Sequence, residues 1–540
     1  MQKRKILICG CGFLAMSVLS NIVNAASKKP NIIIVLVDDM GFSDLGCYGS
    51  EISTPNIDSL ANNGVRFVQT YNTGKCFPSR SCLLTGLFAQ QTGMDRRHGI
   101  MRNSVTLAEV LKTQNYYTFA SGKHHGEENL FNRGFDHYWG LRDGATNHFN
   151  PGFKRNNEVA PAHKRTRHWC DDGKTLYPFT PKDKNFYSTD AYTNKAIEWL
   201  NDAKKNKSNQ PFFLYLAYTA PHDPLMAHKK DIKKYQGKYD VGYEKIRLQR
   251  YKKQLELGLI DKKRYPLSKA TYRNWQKLSV EQRKRQARLM EIYAAMIDCV
   301  DQNIGRLLAT LKANGQLDNT IIMFMSDNGS SNEVVRLKNG DKTIGSIGEW
   351  NSLGKDWANV ANTPFRYYKN DCYEGGINTP LIVYWPKGIK NKFQGKIFKE
   401  RVKHFIDIMP TVVELSEAKY PTQFNGKKIF PMAGDSFAGV LKNGDEKRPL
   451  DKILYWQWNK GKGIRVGDWK LVWHNIHKKD NAALYNMNEN RSETANLKNK
   501  YPKKVKQLEE LYTKWYDGLK SIILRENKKL RDYIKSKKSH

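Results

Sequence analysis

Four short runs of β-branched and aromatic residues, each ending in ionisable groups, constrain this chain more than any other feature. Asn31 to Val37 runs into Asp38-Asp39, and Tyr116 to Ala120 precedes Ser121-Gly122-Lys123-His124-His125. Phe212 to Tyr218 precedes Thr219-Ala220-Pro221-His222, and Thr320 to Met325 leads into Ser326-Asp327-Asn328-Gly329. Runs of this length and composition read as strands. Helical patterns lie between them, so the alternation predicts an α/β fold: a large, mainly parallel or mixed sheet flanked by helices. In open sheets of this kind ligands collect beyond the carboxyl ends of the strands. The four polar ends are therefore expected to converge on one cleft.

The helical signals are local. Thr54-Pro55 reads as a cap followed by a proline at the first helical position, with Ile57, Leu60 and Ala61 as a stripe and Gly64 closing the turn. Ser104 or Thr106 opens another helix bearing Leu107, Val110 and Leu111. The clearest helix runs from Val280 to Asn314, with Leu289, Ile292, Met296, Val300, Ile304, Leu308 and Leu311 on one face and Gly315 as its stop. Residues 227–287 are dense in Lys and Arg and poor in strand signals, and read as a basic surface insertion beside the active face. From about Lys442 the pattern changes to short strands over 453–458, 462–466 and 469–473, then a charged helix from about Pro502 to Leu524. A chain of 540 residues exceeds one compact core. The division expected is a large α/β domain over 26–441 and a small C-terminal antiparallel sheet with one helix over 442–540.

Lys3-Arg4-Lys5, the apolar stretch from Ile6 to Leu19 and Val23-Asn24-Ala25 read as a signal peptide over residues 1–25. The stretch is interrupted by Gly10, Gly12 and Ser17 and is shorter than a membrane span, so the mature protein is expected to be periplasmic or secreted with no stable membrane anchor. Beyond the leader, six cysteines (47, 76, 82, 170, 299 and 372) form neither a disulfide framework nor a zinc site. The net charge of +37 can attract a polyanion such as nucleic acid, anionic membrane or sulfated polysaccharide, but taken alone it fits a solvated Lys-rich surface better and decides nothing.

The sharpest motif is Cys76-Phe77-Pro78-Ser79-Arg80 followed by Leu83-Leu84-Thr85-Gly86. Pro78 near a helix start puts Cys76 at a helix N-terminus, where free N–H groups and the helix dipole favour an anion. The motif resembles the signature of the type I sulfatases, whose cysteine is oxidised to formylglycine by a maturation enzyme. The resemblance spans Pro30 to Asn496 and is nearest to bacterial arylsulfatase-like enzymes. It is carried also by Asp38-Asp39-Met40-Gly41, Gly122-Lys123-His124-His125, Pro221-His222, Asp327-Asn328-Gly329, Thr363 to Lys369, Tyr373-Glu374-Gly375-Gly376, Arg465 to Leu471 and Leu484-Tyr485-Asn486.

That resemblance implies an alkaline-phosphatase-like fold and a sulfuric ester hydrolase. In such an enzyme one hydroxyl of the hydrated aldehyde attacks sulfur, and the other then expels sulfate by elimination. It implies one Ca²⁺ per chain held by Asp38, Asp39, Asp327, Asn328 and the modified Cys76, an oxygen-rich set that suits a hard cation. Arg80 and Lys123 would hold the hydrate, and Lys123 and Lys369 would neutralise sulfate oxygens. His125 would take the proton during elimination, and His222, with Lys369, would serve the leaving alcohol. His124 departs from the family's usual Trp, which bears on the pocket wall. The substrate expected is a sulfated small molecule or carbohydrate, most simply a polysaccharide fragment, with nucleic acid no longer indicated. Asn147-His148-Phe149-Asn150 and the basic insertion are expected to line the pocket. Two rival readings are a phosphate or phosphonate ester hydrolase of the same superfamily, and a catalytically silent polyanion-binding protein.

Overall fold

The first apolar run forms the strand Asn31–Asp38, every residue of which is buried. In the computed structural model, which describes residues 29–538 except 164, 339–342, 446–450 and 479–480, this strand lies at the middle of an eleven-stranded sheet. The expected leader lies outside the described residues. Ile32, Ile34 and Leu36 project into one hydrophobic core and Ile33, Val35 and Val37 into the other, on the opposite face. A strand covered on both faces needs apolar side chains at every position, which is why the run does not alternate with polar residues.

Its neighbours are Phe212–Pro221 on one side and Thr320–Ser326 on the other, both parallel, with Ile32 opposite Phe213 and Ile321. Tyr117–Gly122 and His137–Leu141 continue the parallel order beyond Phe212–Pro221. Asn378–Tyr384 runs antiparallel to both of its neighbours, Thr320–Ser326 and Val65–Tyr71, and Trp169–Asp171 and Lys174–Leu176 are antiparallel at the other end. The sheet is therefore mixed, with a parallel centre. All four polar run ends emerge from adjacent parallel strands at the same edge.

The helices follow their signals with instructive exceptions. Thr54 precedes the helix Pro55–Asn63 but its side chain does not cap it. Its Oγ1 accepts from the Gly46 N–H at 2.8 Å and donates to Asp58. The free N–H groups of Asn56 and Ile57 donate instead to Asp301, which reaches over from the long helix. Gly64 closes this helix for steric reasons: its φ is −123°, and a Cβ there would sit 2.3 Å from the Val383 carbonyl oxygen. Thr106 caps Leu107–Lys112 by accepting from the Glu109 N–H. The long helix, Val280–Ala313, opens on Ser279 and Gln282 as a reciprocal capping box and stops before Gly315, whose φ is +65°.

The basic insertion is not a surface appendage. It forms Lys229–Lys233, Tyr243–Glu256 and Trp275–Lys277, and Tyr235, Tyr239, Tyr243, Ile246 and Leu259 from it are buried in the main core. Lysines on its exposed face dominate the composition, while its tyrosines and Arg250 turn inward. The C-terminal part is a four-stranded antiparallel sheet over Ile453–Trp458, Gly461–Val466, Trp469–Trp473 and Ala482–Asn486. The helix Pro502–Lys538 covers it through Leu508 and Tyr512, and extends well past the expected end at Leu524. Among the described residues no helix is long and apolar enough to cross a membrane.

Candidate active site

Cys76 is the first residue of the helix Cys76–Thr85 and is fully buried at its N-terminus. Ser79 secures the preceding turn: its Oγ accepts from the Thr73 N–H at 3.0 Å and lies 2.8 Å from Thr73 Oγ1. Pro78 stands third in the helix, within the first turn, where a backbone N–H has no intrahelical acceptor to lose.

The strand ends meet around this helix start. Asp38, Cys76 and Asp327 each present a ligand atom within 4.8 Å of the others, and Asp38, Asp39 and His222 do the same. Asp39 stands at φ +65°, which swings its side chain off the strand direction. Its Oδ1 accepts from Asn328 Nδ2 at 2.6 Å, its Oδ2 from Lys369 at 2.8 Å, and His222 Nε2 lies 3.5 Å from Oδ2. Arg80 donates Nε to Asp327 at 2.9 Å and another nitrogen to the Lys123 carbonyl at 2.7 Å. Lys123 donates to Asp38. Asp38, Asp39, Cys76, Arg80, Lys123, His222, Asp327, Asn328 and Lys369 thus lie in one cluster.

Two observations favour a divalent cation among these donors. Asp38 Oδ1 and Asn328 Oδ1 are buried oxygens with no hydrogen-bond partner, a costly state that a cation relieves. Burial and the Asp38 carboxylate push Asp327 up to about 7. Burial also opposes charge on Asp38, but Lys123, His222 and Arg80 overcome it and hold Asp38 below the usual carboxylate range. Two crowded carboxylates, with a bare carboxylate oxygen on Asp38 and a bare amide oxygen on Asn328, suit a hard divalent cation.

The two histidines sit in opposite fields. Burial, then the Lys123 and Lys75 ammonium groups, hold His125 well below its ordinary value, so it is neutral. Burial opposes charge on His222 as well, yet Asp39, with Asp38 and Asp223, outweighs burial and the Lys369 ammonium and raises it to about 9. One imidazole is ready to accept a proton and the other to donate one.

These groups face a cavity of about 240 Å³ whose wall includes Cys76, His125 and His222. Its outer wall corrects two expectations. Asn147, His148 and Asn150 are buried behind the cavity, with His148 bonded to Ser188 Oγ and within 3.1 Å of the His222 carbonyl oxygen, so their polar atoms are occupied inside the fold. The basic insertion contributes nothing to the lining; Arg96, Arg97, Arg142, Arg165 and Arg167 do. His124 lies outside the lining, buried and driven down to about 3 by burial, and fills space as a neutral ring.

Several supporting residues escaped the sequence reading. Glu333 pairs with Lys75 at 3.2 Å and lies 3.8 Å from Lys369. Asp44 accepts from the Gly41 N–H and from Tyr293, while Tyr293 also donates to the Asp39 carbonyl at 3.0 Å. Arg250, from the insertion, donates to Asp44 at 2.5 Å and to Glu51. Asp44 closely follows Asp38-Asp39 and could have been suspected, but nothing in the sequence marks Arg250 or Tyr293.

Clustered carboxylates at the ends of parallel strands, beside a helix that opens on a buried cysteine, fit the alkaline-phosphatase-like fold. The sulfatase family profile matches residues 30–418, and that of the N-sulphoglucosamine sulphohydrolase C-terminal region matches 365–517. The chain belongs to the sulfatase family and is a sulfuric ester hydrolase. An uncharacterised sulfatase of Schizosaccharomyces pombe is 33% identical over 90% of this chain and 93% of its own length. An arylsulfatase of Klebsiella aerogenes is 34% identical over 77% and 93%. Among solved structures, Ps i-CgsB in complex with k-i-k-neocarrahexaose superposes with a TM-score of 0.65 at 26% identity, covering 90% of this chain and 93% of that one.

Proposed function

We propose that this chain cleaves sulfate esters on carbohydrates by means of a formylglycine made from Cys76, with one Ca²⁺ held by Asp38, Asp39, Asp327, Asn328 and residue 76. The observation that carries the reading is the convergence of Cys76, Asp38 and Asp327 at a buried helix N-terminus that opens on a cavity ringed by cations. When present, the aldehyde hydrate supplies the nucleophilic oxygen and the ion supplies positive charge beside the sulfate.

The remaining work falls to the chain's own side chains. Arg80 and Lys123 fix residue 76 and the carboxylates around it, since each is bonded within that cluster. Lys369, buried between Asp39 and Glu333, directs its charge at the sulfate oxygens. His125, neutral and on the cavity wall, would take a proton from the hydrate. His222, held by the Asp223 carbonyl through Nδ1, offers Nε2 to the leaving alcohol. A carbohydrate substrate is supported by the arginine-rich mouth, which suits an acidic sugar, and by the oligosaccharide bound to Ps i-CgsB.

Sulfate release from defined sulfated sugars and aryl sulfates tests the reading, with mass analysis of the peptide carrying residue 76. Active protein is expected to carry the aldehyde, Cys76→Ala to release no sulfate while keeping its melting temperature, and chelation to abolish turnover until Ca²⁺ is restored. Full turnover by a protein with only a thiol at position 76 would refute it.

A further inference from the structure

The antiparallel pairing at the sheet edge brings three arginines to the mouth of the cavity. Leu141 lies opposite Trp169, so Arg142 at the end of one strand meets the segment Arg165 to His168 that leads into the other, and the Arg142 N–H donates to the His168 carbonyl at 3.1 Å. The same Arg142 supplies the carbonyl that receives the His125 N–H at 2.9 Å, so the arginine edge is tied directly to the proposed base.

Of these cations only Arg142 has an ion-pair partner among the described residues, Glu127 at 3.7 Å. Nε of Arg142 and Nε of Arg167 are buried without a hydrogen-bond partner. Neither Arg165 nor Arg167 forms an ion pair or a side-chain hydrogen bond among the described residues. Acids nearby are engaged elsewhere. Asp143 Oδ2 accepts from the backbone N–H of His168 at 2.8 Å and lies 3.2 Å from its ring, and Asp223 is held by His222 and Ser352. Glu127 faces His98 at 2.6 Å and approaches Arg142 only to 3.7 Å. Burial and the adjacent Arg165 guanidinium push Arg167 below its ordinary value, the mark of like charges held together. An oxyanion placed among these side chains would meet planar forks that present paired donors to it.

We propose that Arg142, Arg165 and Arg167 form a second oxyanion subsite, so that the preferred substrate carries a further sulfate or carboxylate beside the ester that is cleaved. This rests on the sulfate-ester reading of the same cavity and narrows its substrate to doubly anionic sugars. A cavity of about 240 Å³ takes a single ring with its substituents, which puts the second anion on the same sugar or at its linkage to the next.

Binding separates this inference from the catalytic one. Calorimetry on full-length, Ca²⁺-loaded Cys76→Ala protein compares three sugars of one skeleton: a monosulfate, a disulfate and a monosulfated uronate. The doubly anionic sugars are expected to bind about ten-fold to a hundred-fold more tightly than the monosulfate, the range for charge-assisted hydrogen bonds. Whichever of the two is favoured identifies the second group. Adding Arg165→Gln, at an exposed position that the fold does not need, is expected to bring the ratio towards one, as is Arg167→Gln. Equal binding of all three sugars, or a preference that survives both substitutions, overturns the subsite. Failure of the unsubstituted enzyme to release sulfate from any sugar would instead count against the catalytic reading, leaving the binding ratio to decide this one.

Discussion

Gly144 is the residue where the smallest change should do the most damage. A Cβ at that position would lie 2.4 Å from His125 Nε2, and His125 itself stands at φ +64° with its Nδ1 buried and unpartnered. The atom in the way is the tip of a side chain, so the fold can accommodate the methyl by turning the imidazole away. Gly144→Ala is therefore expected to leave the melting temperature nearly unchanged while lowering kcat by about 100-fold, the scale of a misplaced catalytic group; steady-state kinetics beside a thermal melt would show the separation. At this scale the sequence was most informative about groups whose chemistry is intrinsic. Cys76, the strand-end acids, Lys123 and His222 could be picked out because a motif cysteine and ionisable groups at the ends of apolar runs contribute little to packing. Gly144 could not, and Ser79, although it stands in the motif, showed no role there, since both roles depend on which atoms lie within a few ångströms after folding.

At the scale of elements, the long insertion shows how local composition misleads. Its many lysines predicted a solvated appendage, yet the helix Tyr243–Glu256 carries Arg250 to Asp44, and Asp44 with Tyr293 braces the loop that follows Asp38-Asp39. A count of charges does not reveal which one turns inward. Burial pushes Asp44 upward against the pull of Arg250, so removing the guanidinium leaves a costly buried carboxyl group. Arg250→Met is expected to destabilise the fold by about 3 kcal/mol. It should also weaken Ca²⁺ binding by about 10-fold to 100-fold through slackening of the ligand loop, and denaturant unfolding with a calcium titration would measure both. The strands and the long helix were legible because their apolar periodicity is read within one segment. Asp301 capping a distant helix was not, because the cap is separated from its helix by more than two hundred residues.

Across the whole molecule, a buried ionic network fastens the small C-terminal sheet to the large one. Glu374 accepts from Lys470 at 2.8 Å and Arg491 at 2.9 Å, Tyr71 lies 3.0 Å from it, and Arg465 and Arg491 both donate to the Tyr71 hydroxyl. Burial works against charge on Glu374, but Lys470 and Arg491 prevail and bring it down to about 2. A carboxylate lowered on folding contributes stability that is complete above its unfolded value, about 4.3, and is lost as pH falls towards about 2. Glu374→Gln is expected to cost about 3 kcal/mol or more at neutral pH, and the gap from the unsubstituted protein should close as acid protonates Glu374. Unfolding at a series of pH values checks this, and a constant gap would show that charge is not what the residue contributes.

The complete burial of Cys76 at its helix start bears on when the proposed aldehyde would be made. An oxidising partner would need this thiol in an extended, reachable stretch, whereas in the fold it is buried and borders the cavity beside Phe77 and Lys75. On that reading tailoring would come before closure, and a molecule folded with its thiol intact would stay inactive until unravelled. Production hosts would then differ in the yield of competent enzyme through timing at the ribosome or translocation pore, while their yields of folded protein could be identical.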